Sequence, residues 1–208
     1  MSPKTANCMQ VNPSLRQSII QQRKALSSAL LTQFESRICR QIIQSHYFRS
    51  AKKIAIYYPV SGEVGTWQLL ERIWSAHKRA YLPVLHTKNN FPLRFAEITS
   101  QSRFVDNQFG IPEPDVPYRN LLKPQQMDLV CVPLVGFDMA GHRLGMGGGY
   151  YDRSFAFVNH RHTRRPPYLV GLAYEFQKCS QLIADAWDVD LDAIITEDTL
   201  YAIQHHKA

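Results

Sequence analysis

The chain has 208 residues, 45% of them apolar, and 24 Lys plus Arg stand against 17 Asp plus Glu, for a formal charge of +7. That length and apolar content suit one α/β domain with a real core and exclude a polar disordered segment. The positive balance suits nucleic acid, a membrane surface or a polyanionic small molecule and selects none of them. No run reaches transmembrane length, and residues 1–10 lack the apolar core of a signal peptide, so a soluble, cytoplasmic protein is expected. Cysteines at 8, 39, 131 and 179 are too dispersed for a local metal knuckle and read as reduced thiols.

Residues 1–11 read as a tail. Asn12-Pro13 starts a helix, because an Asn cap is followed by a proline whose missing N–H costs nothing at the first position. Leu15 and Ile19 open an apolar stripe that Leu26, Leu30, Phe34, Ile38 and Ile42 continue. Ser27 or Ser28 can cap a second helix, so residues 12–46 read as two. Arg16, on the first turn, is an exposed helix arginine or a phosphate clamp. Residues 53–60 form a buried strand ended by Ser61-Gly62. Glu63 follows, and Thr66 caps a helix to about His77 carrying Leu69, Leu70, Ile73 and Trp74. With the strand at 81–85 this is a βαβ unit, which implies a parallel sheet with ligands in the loops after its strands.

Residues 93–98 alternate as a further strand, antiparallel or at an edge. Phe104 to Pro117 reads as a rigid irregular connection, with Phe109 and Glu113 placed to line a pocket. A core strand at 128–133 feeds a long loop to Gly149, then a helix from Tyr150 to about Asn159. Strands follow at 168–174 and 191–196, with a short helix expected over 182–187 and a helical ending near Tyr201. Asp185, Asp188, Asp190 and Asp192 lack EF-hand spacing and read as turn and cap residues. The run from His160 through Arg161, His162, Arg164 and Arg165 reads as a solvated loop.

The densest signal is residues 143–153, R-L-G-M-G-G-G-Y-Y-D-R. Four glycines in five positions demand positive φ or a ligand lying against the backbone. Exposed N–H groups before a helix start form an anion nest, which Arg143 and Arg153 would reinforce. Asp152 suits a hard cation riding on phosphates. Walker A fails because Tyr150 rather than a Lys-Ser/Thr pair follows Gly149, the dinucleotide fingerprint fails on spacing, and hydrolase, zinc-protease and CxxC signatures are missing. What remains is nucleotide phosphate binding with few proton-transfer groups, since His142 reads as a loop residue.

Residues 137–153 resemble the C-terminal signature of the 5-formyltetrahydrofolate cyclo-ligase family, also called 5,10-methenyltetrahydrofolate synthetase. Leu15-Arg16, Y-Y-P-V-S-G-E-V at 58–64 with the tyrosine before it, F-G-I-P-E-P at 109–114, V-G-L-A-Y at 170–174 and I-I-T-E at 194–197 are similar to further family segments. The resemblance spans residues 12 to 198 and implies a three-layer α/β/α domain over 12–200, with a mostly parallel central sheet and helices on both faces. It implies ATP-dependent conversion of 5-formyltetrahydrofolate to 5,10-methenyltetrahydrofolate with Mg²⁺, through phosphorylation of the formyl oxygen and ring closure by N10.

Carried over by position, Asn12, Arg16, Arg143, Leu144, Gly145, Met146, Gly147, Gly148, Gly149, Tyr150 and Tyr151 hold the nucleotide. Arg143, Tyr151 and Asp152 serve catalysis, Asp152 holds magnesium, and Tyr58 and Glu63 face the folate. The expected partners are small molecules, with no nucleic acid or membrane, and a monomer is expected. Three positions depart from the family. Asn12 replaces a lysine, Gly65 replaces an aspartate without an evident functional reason, and the 159–167 insert is basic enough to meet a polyglutamate tail. The alternatives are a related ATP-dependent enzyme acting on another formyl or amide substrate and, more remotely, a basic nucleic-acid-binding protein.

Overall fold

The computed structural model describes residues 13–85, 91–159 and 166–204. Helices α1 (Pro13–Ala25), α2 (Ser28–Gln44) and α3 (His46–Ser50) lead into strand β1 (Lys53–Ala55), helix α4 (Trp67–Ser75), β2 (Arg79–Val84) and β3 (Arg94–Ile98). A hairpin of β4 (Phe104–Asp106) and β5 (Pro112–Pro114) precedes β6 (Leu129–Pro133). A ribbon of β7 (Gly136–Phe137) and β8 (Arg143–Leu144) precedes α5 (Tyr150–Phe155), and β9 (Tyr168–Leu172), β10 (Ala193–Ile195) and β11 (Leu200–Ala202) close the chain.

Seven strands form one sheet in the order β11-β10-β9-β6-β1-β2-β3. The five central strands are parallel, and the two edges, β3 and β11, run antiparallel. Period-two alternation divides the strand side chains between two cores. Ile54, Ile56, Cys131, Val170, Leu172, Ala193 and Ile195 meet Ile38 and Ile42 of α2, Tyr47 and Phe48 of α3, and Leu69 and Ile73 of α4. Ala55, Val130, Val132, Leu169 and Ile194 face the other way, with Phe155 of α5. Helices therefore cover both faces, as expected of an α/β sheet.

Ser27 caps α2, its side chain accepting from Leu30 N, which separates α1 from α2 as the sequence suggested. Thr66 precedes α4 without capping it. Its hydroxyl instead donates to Tyr57 O at 2.7 Å, and α4 ends at Ser75. The 53–60 segment pairs only through Ala55, although Ile56 N still donates to Tyr81 O, because the chain then peels away from the sheet. The expected irregular 104–117 segment contains the β4–β5 hairpin, closed by Asn107, whose side chain accepts from Phe109 and Ile111 N.

Two further expectations fail. Residues 182–187 form no helix; the stretch is turn and coil, with Asp188 Oδ2 accepting from Asp185 N. The chain near Tyr201 is a strand, because β11 pairs with β10 and supplies hydrogen bonds that a helix there could not. Asp192 Oδ2 accepts from Leu169 N, so Asp188 and Asp192 do act as turn and strand-tying residues.

Ile42, with 0% exposure, is the deepest α2 residue. Ile42→Ala is expected to lose about 2–5 kcal/mol of stability by leaving a cavity between α2 and the sheet. Urea unfolding measures this, and a loss below about 1 kcal/mol would contradict the packing described.

Candidate active site

The crossovers change direction inside the sheet. From β1 the chain moves outward to β2, then returns to β6 on the other side of β1 and continues outward through β9 to β10. The carboxyl ends of β1 and β6 are therefore the topological switch point, where open α/β sheets usually place a ligand crevice. The post-β1 loop carries Tyr58 and Glu63, and the post-β6 loop carries Arg143 and the glycines.

Helix α1 lies against both loops. Ile19 packs with Val135 and Leu144. Arg16 Nε donates to Gly145 O at 3.0 Å, so this arginine on the first helix does reach the glycine loop. Two turns later, Arg23 Nη1 donates to Leu134 O at 3.2 Å, and the Gly62 backbone sits on the Arg23 stem.

The glycine loop is open where a ligand would need it. A Cβ at Gly145 or at Gly147 would meet nothing within 4 Å, and Gly147 has a φ of +93° that disfavours any side chain. Met146, 57% exposed, projects between them, while Leu144 is buried. Gly149, at φ +61°, turns the backbone into α5. Arg153 Nη2 donates to Gly148 O at 2.7 Å, and its guanidinium lies over the Tyr150 ring. Phe109, from the β4–β5 hairpin, meets Tyr150 edge-on at 6.4 Å, so that hairpin does supply a wall beside the loop.

Arg143 and Asp152 come as a pair. The Arg143 guanidinium donates to Asp152 Oδ1 and to Val189 O, and Val189 N donates to the same Asp152 oxygen at 3.2 Å. The Arg143 side chain is 7% exposed and that of Asp152 22%. Much of the Arg143 fork is thus spent inside the protein, tying the glycine loop to the segment before β10. Tyr151 stacks on Phe155, and burial, reinforced by the nearby Glu63 charge, pushes its phenol far above the ordinary range, so it stays protonated. His142 Nδ1 lies 3.0 Å from Asp138 Oδ2, and that oxygen also accepts from Leu182 N. This binds His142 into the loop framework.

On the other side, Tyr58 meets Trp67 edge-on at 5.1 Å, and Ser61 and Gly62 turn the chain with φ of +51° and +74°. Glu63 Oε2 accepts from Val60 N at 3.1 Å, and burial raises its pKa against the lowering effects of that bond and of Arg23. Glu63 also interacts electrostatically with Tyr151 of α5, which brings the loop after β1 near the helix that follows the glycines. Gly65, which had no functional account, has a steric one. A Cβ there would lie 2.5 Å from Glu35 Oε1, the oxygen that accepts Gly65 N at 2.9 Å. An aspartate would bring a second carboxylate onto Glu35.

Among the described residues no group of three or more His, Cys, Asp or Glu is arranged to hold a metal ion. Asp152, in the first turn of α5, is the carboxylate next to the glycines. Such a donor set fits magnesium held chiefly by phosphate oxygens and water, and it does not fit a closed protein cage. Asn12 and the 160–165 part of the basic insert lie outside the described residues.

A profile of the 5-formyltetrahydrofolate cyclo-ligase family matches residues 8–197. The chain belongs to this family. It is 36% identical over 186 residues to the 5-formyltetrahydrofolate cyclo-ligase of Haemophilus influenzae, covering 89% of this chain and 97% of that one. It is 34% identical over 183 residues to that of Escherichia coli K12, covering 88% and 98%. The fold resembles the NMR structure of Aquifex aeolicus 5,10-methenyltetrahydrofolate synthetase, with TM-score 0.76, 29% identity and 94% coverage of both chains. It also resembles the synthetase of Mycoplasma pneumoniae, with TM-score 0.66, 30% identity and coverage of 88% and 97%.

Family membership and geometry agree on one crevice. Arg16 reaches the glycine loop, Arg143 and Asp152 pair behind it, and Glu63 lies in the loop after β1. The residue that sequence reading missed is Arg23; its signal was the seven-residue spacing from Arg16, which places both on one helix face two turns apart. Removing Asp152 would strand the buried Arg143 guanidinium. Asp152→Ala is therefore expected to destabilise the protein by on the order of 3 kcal/mol, measured by urea unfolding without ligand. A change near zero would show that the pair carries no structural weight.

Proposed function

We propose that this chain is an ATP-dependent 5-formyltetrahydrofolate cyclo-ligase that forms 5,10-methenyltetrahydrofolate, ADP and phosphate. The observation that supports this most strongly is the joining of Arg16 to an open glycine loop, across a crevice from the half-buried Glu63. An amide oxygen is a poor leaving group until phosphorylated, so the site must bring a nucleotide's terminal phosphate to the formyl oxygen and neutralise the charge in transfer.

The residues divide that work. Backbone N–H groups from Gly145 to Gly149, with Leu144 anchoring the loop in the core, receive the phosphates. Arg16 adds charge from α1, and Arg153 braces Gly148. Magnesium bound on the phosphates would supply further neutralisation, with Asp152 as its nearest protein carboxylate on the loop. Arg143 holds Asp152 in place. Tyr151, kept protonated, can donate but cannot serve as a base near neutral pH. Glu63 offers two acceptor oxygens to the adjacent N–H donors of a pterin edge, and Tyr58 and Trp67 present aromatic surface beside it. Cys39 and Cys131 are free and buried, in keeping with a cytoplasmic enzyme.

Two variants test the division. Arg16→Ala is expected to raise the KM for ATP roughly 10- to 100-fold with little change in the KM for the folate, as loss of a charge-assisted contact would. Glu63→Gln should do the reverse. Similar losses on both substrates in both variants would contradict the assignment of the two sides.

The pH dependence has a definite sign. Burial raises the Glu63 pKa, so falling pH protonates this carboxylate earlier than an ordinary one. The acid limb of kcat/KM for the folate should therefore lie above the usual carboxylate range and disappear in Glu63→Gln. An unchanged limb in that variant would assign it to another group.

A further inference from the structure

Among the described residues Arg23 is the most deeply buried cationic residue, at 1% exposure. A guanidinium stays charged under ordinary conditions, and burying it is costly unless an anion or hydrogen bonds answer it. Only Nη1 is answered, by Leu134 O, while Nε and Nη2 have no hydrogen-bond partner. The one carboxylate that interacts with it electrostatically is Glu63, the remaining neighbours being the hydroxyls of Tyr57 and Tyr174. The contact is also mechanical. A Cβ at Gly62 would lie 3.2 Å from Arg23 Cβ, so the turn that presents Glu63 is seated on the arginine stem.

We propose that Arg23 is a positioning residue that acts through Glu63. Its buried cation keeps the Glu63 carboxylate ionised, and its stem fixes the Ser61–Gly62 turn that aims this acid into the crevice. The proposal rests on the reading of Glu63 as the folate-facing acid. A protonated Glu63 would place an O–H donor where the pterin edge needs a second acceptor, so the ionised fraction governs binding. Three described groups face Glu63. Arg23 comes from α1, Tyr57 from the segment after β1 and Tyr151 from α5. Burial holds both tyrosines protonated, so beside the Val60 N–H bond Arg23 is the one charge that favours ionised Glu63. Helix α1 then serves both halves of the crevice, with Arg16 at the glycine loop and Arg23 beneath the folate acid.

The test is a titration of the Glu63 carboxyl by carbon-13 NMR in the ligand-free protein. The signal is assigned by its disappearance in Glu63→Gln and followed in wild type, R23Q and R23K. In R23Q the carboxyl should titrate higher by about half a unit or more, with R23K staying near wild type because it keeps the charge. In the same R23Q protein, assayed at or below the Glu63 midpoint, the KM for 5-formyltetrahydrofolate should rise about threefold or more, while the KM for ATP stays within about twofold. An unmoved Glu63 titration in folded R23Q overturns the proposal, whatever the kinetics. A shifted titration with an unchanged folate KM would leave the charge coupling standing, but would overturn Glu63 as the folate acid and with it the positioning role. If R23Q does not fold, Glu63→Gln decides. The Arg23 Nε–H NMR signal should shift with the Glu63 midpoint in wild type and lose that step in Glu63→Gln, and a signal that ignores the Glu63 titration overturns the coupling.

Discussion

The site depends on one topological constraint. Because β1 hands the chain outward on one side and β6 on the other, the loops that follow these neighbouring strands must part. The gap they leave is a crevice at the carboxyl ends of parallel strands, and neither loop can close it alone. What fixes its two walls relative to each other is α1. This helix is pinned by Ile19 to Val135 and Leu144, by Arg16 to Gly145 and by Arg23 to Leu134. A segment with only one fully buried apolar side chain is thus held by cations reaching backbone carbonyls of the loop it must position.

The two walls differ in chemistry for physical reasons. On the glycine side, missing side chains expose main-chain N–H groups to an anion, and the nearby arginines are partly spent on structure: Arg143 on Asp152 and Val189, Arg153 on Gly148. The loop is stiffened before any ligand arrives, which lowers the entropy lost on binding. On the other wall, burial raises the energy of the Glu63 carboxylate, so its charge depends on the neighbours that face it. One wall thus presents preorganised positive potential and the other a guarded negative charge, an arrangement suited to a triphosphate meeting the donor-rich edge of a pterin.

Much of this was legible in the sequence. The period-two and period-four patterns at 53–60, 69–74 and 128–133 give strands and helices because they face packed cores on both sides. The 143–153 stretch could be read because four glycines have few other uses. Less legible was whatever depended on long-range partners. Residues 182–187 look amphipathic, yet the structure spends them on a loop framed by Asp138 and Asp188. The ending at Tyr201 becomes a strand only because β10 offers an open edge. Gly65 looked like an unexplained departure until Glu35, thirty residues away, was seen to occupy the space of its side chain. Arg23 carries only its spacing from Arg16 in the sequence; its importance becomes plain once its burial and its two unanswered nitrogens are known.

The most direct test of the account is product formation by the unaltered chain. Mixed with 5-formyltetrahydrofolate, Mg²⁺ and ATP, the protein should generate the near-ultraviolet absorbance of the methenyl product, with ADP released in equal amount. No absorbance should develop when ATP is withheld. Folded protein that binds ATP and gives a flat trace with this folate would contradict the account and direct attention to another formyl or amide substrate for the same crevice.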